Sequence, residues 1–240
     1  MYRIRLSPAP NLEHGTAHLG RALLGPVATE TLADARSMLS EDELQRAARF
    51  VDAEARARFT LRRSFLRQVI SRYAGVAPEA LTFAYGEMGK PSLSGITTPI
   101  EFNQSDSGLW TVVAVCDAPV GVDIEAVRPG VDRETVAGEV FTDRERVELA
   151  ARPEAERLQA FFNGWTRKEA VIKALGTGLA YSLQNIDVSL APGAAPKVNR
   201  LGDQVNPEWS VEVFGLDGDV VGAIAVPRAG VRFVHLPQAV

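Results

Sequence analysis

The sequence is short of cysteine and has no long apolar run, and each shortage excludes a class of protein. Cys116 is the single cysteine among 240 residues, so neither an intramolecular disulfide nor a cysteine metal cluster can form. It lies in an apolar stretch, which indicates a small core residue rather than a nucleophile. No window holds about 18 uninterrupted apolar residues, and the N-terminal MYRIRLSPAPN lacks the apolar stretch of a signal peptide. These features predict a cytoplasmic protein.

An excess of positive charge is also missing. The chain has 26 basic and 30 acidic residues and a net charge of −4, so nucleic acid is not expected as a partner. The basic residues are unevenly spread, however, and six arginines crowd into one segment: Arg56, Arg58, Arg62, Arg63, Arg67 and Arg72. Composition favours a solvated helix face for them, but clustered guanidinium groups also suit phosphate, so an anion site stays open.

The signatures of nucleotide-binding α/β folds are absent as well, since there is no βαβ rhythm, no GxGxxG and no Walker loop. The predicted fold class is therefore α+β. Four helices are predicted from apolar periodicity and from capping boxes, in which a Ser or Thr N-cap is followed three residues later by Glu. The predicted helices are SEDELQRAARF from Ser40, residues 52–73, DRERVELAA from Thr142, and residues 154–176.

Strands are predicted where short apolar or alternating runs lie between turn residues. They are Tyr2–Leu6, Leu81–Tyr85, Ile100–Phe102, Leu109–Cys116, Val120–Glu125, Ile186–Leu190, Trp209–Phe214, Val220–Val226 and Val231–Leu236. The segment Asn11–Pro26 is predicted to be a loop, with His14 and His18 exposed or packed against it, because its glycines disfavour a helix that could bring the two histidines onto a metal. Residues 103–108 form a polar patch between two strands.

The strand Val120–Glu125 carries two carboxylates on one face. Asp123 and Glu125 are two residues apart, so they lie on the same side of the strand, about 6–7 Å apart at the backbone. Both could reach one cation, and oxygen ligands of this kind suit Mg²⁺, which takes further ligands from substrate phosphates. The alternative is a solvated acidic face, which is the commoner meaning of an isolated DxE.

The helix over 154–176 has one residue that does not suit its apolar face. Glu169 lies one turn after Trp165 and one turn before Ile172, where a core residue is expected. A carboxylate buried there needs a cation, which could be Lys173 at i+4 or a metal ion. The alternative is a surface pair of Glu169 and Lys173. A separate turn, GEMGKPSL, is predicted to present Lys90 at its tip.

Three segments in order, GKPSL…FNQSDSG, GVDIE and WTRKEAVIKALGTGL, resemble the Sfp-type 4′-phosphopantetheinyl transferases. That family carries a GKP turn, an FNxSHS patch, a G(I/V)D(I/V)E strand and a WxxKEAxxKxxGxGL helix. The resemblance extends from about Phe50 to the C-terminal strands, and the combination of three motifs is specific. It implies two similar α+β halves, residues 1–118 and 119–240, with the active site in the cleft between them.

The resemblance also implies roles for individual residues. Asp123, Glu125 and Glu169 would bind Mg²⁺, and Glu169 and Lys173 would be catalytic. Coenzyme A would be held by the following residues: Arg58, Lys90, Pro91, Ser105, Asp106, Lys168 and Lys173. A serine hydroxyl of an apo acyl or peptidyl carrier protein, often part of a polyketide or non-ribosomal peptide synthetase, would attack the β-phosphate of coenzyme A and release 3′,5′-ADP. The base would be Glu169 or a metal-bound water, and the family suggests a monomer.

One position departs from the family pattern, because Asp106 stands where FNxSHS has a histidine that contacts a coenzyme A phosphate. An aspartate would repel that phosphate unless it turns away or pairs with an arginine. The enzyme could tolerate the loss through its other cations, prefer dephospho-coenzyme A, or be impaired. The retained carboxylates and lysines favour the first reading, and Asp106→His is expected to lower the KM for coenzyme A.

Two other functions compete with the transferase. A non-catalytic coenzyme A- or carrier-binding protein would have no need of three metal-binding carboxylates. A Mg²⁺-dependent phosphodiester hydrolase would be expected to carry a histidine-rich or two-metal ligand set, which the sequence lacks.

Overall fold

The computed structural model describes residues 11–25, 29–129 and 133–239. The predicted strand Tyr2–Leu6 lies outside these residues. The first half contains β1 (Thr16–Leu23), α1 (Thr29–Ser37), α2 (Glu41–Ala48), α3 (Ala53–Ala74), β2 (Thr82–Tyr85), β3 (Pro91–Ser94), β4 (Glu101–Ser107) and β5 (Trp110–Cys116). The second contains β6 (Gly121–Ala126), α4 (Arg133–Val140), α5 (Asp143–Ala150), α6 (Glu154–Leu175), β7 (Ile186–Val188), β8 (Val198–Leu201), β9 (Gln204–Val205), β10 (Ser210–Leu216), β11 (Val220–Val226) and β12 (Arg232–His235).

The two halves repeat one plan, so the predicted α+β fold of two similar halves is confirmed. In each, a strand leads through short helices to a 22-residue helix, α3 or α6, followed by antiparallel strands. The strand orders correspond: β1-β5-β4 in the first half and β6-β11-β10 in the second. The last strand, β12, crosses over and pairs in parallel with β1. Division of the chain at residue 118 stays a prediction.

Each sheet packs its long helix on one face and the other sheet on the opposite face. On β5, Val113 and Val115 join the core under α3, whereas Val112 and Ala114 face the second sheet. The strands β6 and β11 contribute to that same shared core, and Ala223 of β11 lies in the core under α6. The interface between the halves is therefore an apolar core, which holds both sheets in a fixed relation.

The predicted capping boxes are confirmed, and both have a second role. The Ser40 N–H donates to Glu43 Oε2, and the Thr142 N–H donates to Glu145 Oε2. Both glutamates are buried and receive a cation from the long helix of their own half, Arg67 for Glu43 and Lys168 for Glu145. A buried ion pair thus occupies the same place in each half.

Two predictions of irregular structure are wrong. Residues 11–26 include β1, a strand hydrogen-bonded on both sides, so His18 is buried and its Nδ1 lies 2.8 Å from Tyr73 Oη. The strand was hidden because a central strand buries both faces and shows little alternation. The polar patch after Phe102 is strand β4, in which Asn103, Ser105 and Ser107 are buried and face β6, whereas Asp106 is exposed. Among the described residues, no helix is both long and apolar enough to cross a bilayer.

Candidate active site

A pocket of about 380 Å³ lies where β4 of the first half meets β6 and α6 of the second. We call it the carboxylate pocket, and it is lined by Gln104, Ser105, Asp106, Asp123, Glu125, Trp165, Glu169 and Lys173. The structure therefore brings together the three acidic residues that were predicted from the sequence to be metal ligands. Gln104 and Trp165 were not nominated.

Close packing of α6 on β6 brings the carboxylates of both elements into this pocket. A Cβ on Gly121 of β6 would lie 2.0 Å from the carbonyl oxygen of Ala170 on α6, so a larger residue there would push the helix away. The side chains of Asp123 and Glu125 follow Gly121 on the same face of β6. The helix ends at Gly176, which has a φ of +72° that glycine adopts without strain.

Asp123 is the most deeply buried of the three carboxylates, at 4% exposure. Its Oδ1 accepts hydrogen bonds from Lys173 Nζ at 2.6 Å and from Ser105 Oγ at 3.0 Å. Its Oδ2 is buried and has no hydrogen-bond partner among the described residues. Lys173 thus pairs with Asp123 on the neighbouring strand, which argues against the alternative of a surface pair with Glu169.

Burial acts on all three carboxyl groups, and repulsion by a neighbouring carboxylate acts on Glu125 and Glu169. Burial raises the pKa of Asp123 above its ordinary value, although the Lys173 ammonium opposes the rise. Burial also raises the pKa of Glu125 and of Glu169, and the charge of Asp123 adds to both shifts. Burial is the largest cause of all three shifts, and a further cation in the pocket would favour the ionised carboxylates and oppose these shifts.

The donors of the pocket fit a divalent metal ion such as Mg²⁺. Carboxylate oxygens are the ligands that Mg²⁺ prefers, and the unpartnered Oδ2 of Asp123 offers a buried acceptor. Across the described ranges, no group of three His, Cys, Asp or Glu side chains is already gathered closely enough to hold a metal, and the Lys173 ammonium stands against Asp123. The pocket therefore fits Mg²⁺ in the kind of ligand atoms it offers and in holding all three carboxylates, although their side chains are not gathered around one point.

The family resemblance implied that Ser105 contacts coenzyme A, and this role stays a prediction, while in the structure its hydroxyl contacts the carboxylate of Asp123. Its hydroxyl donates to Asp123 Oδ1 and accepts from the Ile124 N–H at 3.3 Å and from Lys173 Nζ at 3.1 Å. One donor and two acceptor positions are therefore all used within the protein. The structure makes Ser105 a partner of the carboxylate.

Asp106 pairs with an arginine, which is one of the two ways in which it could avoid repelling a phosphate. Arg62 Nη1 on α3 lies 2.8 Å from Asp106 Oδ2 at the mouth of the carboxylate pocket. Other members of the arginine segment have structural partners: Arg63 and Arg67 bind Glu43, and Arg58 pairs with Glu54 on the helix surface. Arg58 does not line the carboxylate pocket, so the structure gives no support to its predicted contact with coenzyme A.

A second pocket of about 310 Å³ adjoins the first and shares Gln104, Glu169 and Lys173 with it. We call it the turn pocket, and its other lining residues are Met88, Gly89, Lys90, Pro91, Asn103, Ile172, Gly176 and Gly178. The prediction that Lys90 lies at the tip of its turn is wrong. Its Nζ folds back to donate to the carbonyl oxygens of Val120 and Ala174, and burial lowers its pKa.

The structure contradicts the predicted contact of Lys168 with coenzyme A. Lys168 is fully buried, with its Nζ 2.5 Å from Glu145 Oε2 and hydrogen-bonded to the carbonyl oxygens of Val140 and Leu183. Adjacent residues of a helix point about 100° apart, so Lys168 and Glu169 cannot face the same pocket. The family motif holds both residues, but only Glu169 lines the carboxylate pocket.

Comparison with known proteins identifies the class to which this pocket belongs. Residues 119–225 match the family described as the 4′-phosphopantetheinyl transferase superfamily, and residues 26–118 match the family described as 4′-phosphopantetheinyl transferase, N-terminal. The chain is 36% identical over 230 residues to the 4′-phosphopantetheinyl transferase HetI of Nostoc sp., covering 94% of each protein. It is 32% identical over 154 residues to the 4′-phosphopantetheinyl transferase Sfp of Bacillus subtilis, covering 64% of this chain and 67% of that protein.

Likeness to solved structures is weaker. A holo-(acyl-carrier-protein) synthase from Bacillus anthracis in complex with CoA (3′,5′-ADP) is 21% identical with a TM-score of 0.37, and the match covers 47% of this chain and 97% of that one. The assignment therefore depends on the sequence matches, which define a group-transfer enzyme. The chain belongs to the 4′-phosphopantetheinyl transferase superfamily, and its activity is the transfer of 4′-phosphopantetheine from coenzyme A to carrier proteins.

Proposed function

We propose that this enzyme uses the carboxylate pocket to modify a serine of apo acyl or peptidyl carrier proteins in a Mg²⁺-dependent reaction. Asp123, Glu125 and Glu169 would hold the metal ion, which supplies positive charge to a pyrophosphate when bound. The observation that carries this proposal is the convergence of these three carboxylates, from two elements far apart in the chain, in one pocket between the halves. The turn pocket beside it, of about 310 Å³, offers room for part of the rest of coenzyme A.

In the proposed reaction the serine oxygen of the carrier forms a bond to the β-phosphorus of coenzyme A. The bond from that phosphorus to the bridging oxygen breaks, and 3′,5′-ADP leaves with the electron pair. Lys173 lies 2.6 Å from Asp123 and can place its ammonium beside the negative charge that develops on the phosphates.

Glu169 is the proposed acceptor of the serine proton. Asp123 is engaged by Lys173 and Ser105, and Glu125 accepts from Ser107, whereas the influences on Glu169 are burial and through-space charge. Its raised pKa brings its proton affinity closer to neutral pH, which suits a general base. Glu169 would have to serve as base and metal ligand in turn, or a second group would take one of the roles.

The test is a mass-spectrometric assay with coenzyme A, Mg²⁺ and several apo carrier domains. The wild-type enzyme is expected to add one phosphopantetheine group to a carrier serine, and Glu169→Gln and Asp123→Asn are expected to abolish the gain. Glu79→Gln, which changes an exposed glutamate outside both pockets, is the matched control. Near-wild-type turnover in both pocket variants would remove the proposed roles, and binding of coenzyme A without any mass gain would favour a non-catalytic binder. The expected monomer stays a prediction, which light scattering of the purified protein can check.

A further inference from the structure

Strand β6 is an edge strand of its sheet, and no neighbouring strand in the described part of the chain forms a backbone ladder with its outer edge. It pairs with β11 along Gly121–Ala126, but in antiparallel pairing only alternate residues exchange backbone hydrogen bonds with the partner strand. The N–H groups of the other residues, Val122, Ile124 and Ala126, point to the opposite edge, towards β4. Unpaired backbone N–H groups away from water are costly and must find acceptors. Side chains of β4 provide them.

These acceptors repeat every second residue along β4. Asn103 Oδ1 accepts from the Val122 N–H at 2.9 Å. Ser105 Oγ accepts from the Ile124 N–H at 3.3 Å, and Ser107 Oγ accepts from the Ala126 N–H at 3.0 Å. All three β4 residues are at least 93% buried. The two strands run side by side with this constant offset, so side chains take the place of a backbone ladder between the halves.

The same two hydroxyl groups also hold the carboxylates. Ser105 Oγ donates to Asp123 Oδ1 at 3.0 Å, and Ser107 Oγ donates to Glu125 Oε2 at 3.1 Å. Each serine therefore joins the carboxylate of one β6 residue to the backbone N–H of the next. Where β6 has Gly121 and no carboxylate, β4 has Asn103, which serves the backbone alone.

We propose that Ser107 is a positioning residue that orients the Glu125 carboxylate for metal binding by fixing it to the backbone of β6. This inference rests on the proposed metal role of Glu125. A hydroxyl has one proton to donate, and its acceptance of the Ala126 N–H orients Ser107 so that this proton meets Glu125. Glu125 is about half-buried, and without this contact its side chain would sample several rotamers. Contacts that orient a metal-binding carboxylate typically alter metal affinity when they are removed.

The experiment titrates Mn²⁺ into the full-length protein, with and without coenzyme A, and follows free Mn²⁺ by electron paramagnetic resonance. Ser107→Ala is expected to raise the Mn²⁺ dissociation constant about tenfold. Ser107→Thr keeps the hydroxyl and is expected to restore near-wild-type affinity. Two controls separate positioning from stability, and both are read in the titration without coenzyme A because Asn103 also lines the turn pocket. Ser64→Ala removes a buried hydroxyl that bonds to Leu61 on α3, and Asn103→Ala removes a β4–β6 contact that reaches no carboxylate. Both are expected to lower the melting temperature and leave Mn²⁺ affinity unchanged.

In the transfer assay, Ser107→Ala is expected to raise the Mg²⁺ concentration for half-maximal rate and to leave the KM for coenzyme A at saturating Mg²⁺ unchanged. Equal Mn²⁺ affinity in wild type and Ser107→Ala overturns the inference, and so does an equal loss in the Asn103→Ala control. A wild-type protein that binds no Mn²⁺ overturns the metal role of the proposed function as well, so the two failures are distinguishable. If Ser107→Ala unfolds, Ser107→Cys, with a weak donor of similar size, replaces it under the same criteria.

Discussion

The pairing of Asp106 with Arg62 makes a specific prediction about coenzyme A affinity. The side chains are 38% and 25% exposed, and their N–O distance is 2.8 Å. Exposed ion pairs contribute about 0.2–1 kcal/mol. Asp106→Asn or Asp106→His should therefore lower stability by less than about 1 kcal/mol. Either change also removes one negative charge from the mouth of the carboxylate pocket and frees the guanidinium of Arg62.

The expected gain in affinity is modest for the same reason. A charge released at a half-exposed position is screened by solvent, so its attraction for a phosphate is on the order of 1 kcal/mol, or about fivefold in an equilibrium constant. We expect the KM for coenzyme A to fall by about two- to fivefold in both variants. The effect should shrink as salt is added, since the Debye length falls from about 10 Å at 0.1 M to 3 Å at 1 M.

Steady-state kinetics with two substrates tests this reasoning. Dephospho-coenzyme A lacks the 3′-phosphate, so attraction of that phosphate by the released Arg62 guanidinium predicts a lower KM for coenzyme A and an unchanged KM for dephospho-coenzyme A. Arg62→Ala is the companion variant, and it should raise the KM for coenzyme A. An unchanged KM in Asp106→Asn would refute this reasoning, and a fall in Asp106→His alone would mean that the imidazole itself makes a new contact.

Two further predictions concern charge inside the protein. Because the folded-state pKa of Glu169 is raised, its protonated form contributes to the free energy of unfolding, and this contribution is fully present below the unfolded-state pKa of about 4.5. The contribution is lost as the pH rises through the higher folded-state pKa. Metal-free Glu169→Gln should therefore melt at a higher temperature than wild type at pH 8, and the difference should vanish below about pH 4. Added Mg²⁺ should stabilise wild type more than the variant. A lower melting temperature of the variant at pH 8 would contradict burial as the main cause of the raised pKa. Lys168→Met leaves Glu145 buried without its cation and should cost about 3–5 kcal/mol in urea unfolding, part of which Lys168→Met/Glu145→Gln should recover. A loss below about 1 kcal/mol would mean that the pair is not buried in solution.

Local sequence signals predicted the helices well because the determinants of a helix end lie within a few residues. Both capping boxes and the glycine after α6 are of this kind. The short helices α1 and α4 and the short strands β3, β8 and β9 were missed because they have little periodicity of their own. Their place in the fold depends on the neighbours they pack against, which the local pattern does not contain.

The site was predicted only in part, because a sequence motif identifies candidate residues but does not show which partners their side chains contact in the fold. The spacing of Asp123 and Glu125 gave their shared face, and the unsuitable place of Glu169 on an apolar face marked it as unusual. Nothing local distinguished Lys168 from Lys173, since the partner of Lys168 is Glu145 on another helix. The alternation of Asn103, Ser105 and Ser107 was visible in the sequence. Its meaning required β6, nineteen residues further on, to lie beside β4.

The active site needs both halves although its three proposed metal ligands and Lys173 come from one. The carboxylates and Lys173 belong to β6 and α6 of the second half, and the corresponding strand of the first half, β1, reads TAHLGRAL and carries no carboxylate. The first half contributes β4, whose neutral hydroxyl groups satisfy the β6 edge and hold the acidic side chains. A second half alone would keep its acidic residues and lose these donors, while its β6 edge would be exposed to water or to another chain. The proposed metal ligands thus lie in one half and their orienting contacts in the other, so each half constrains the sequence of its neighbour.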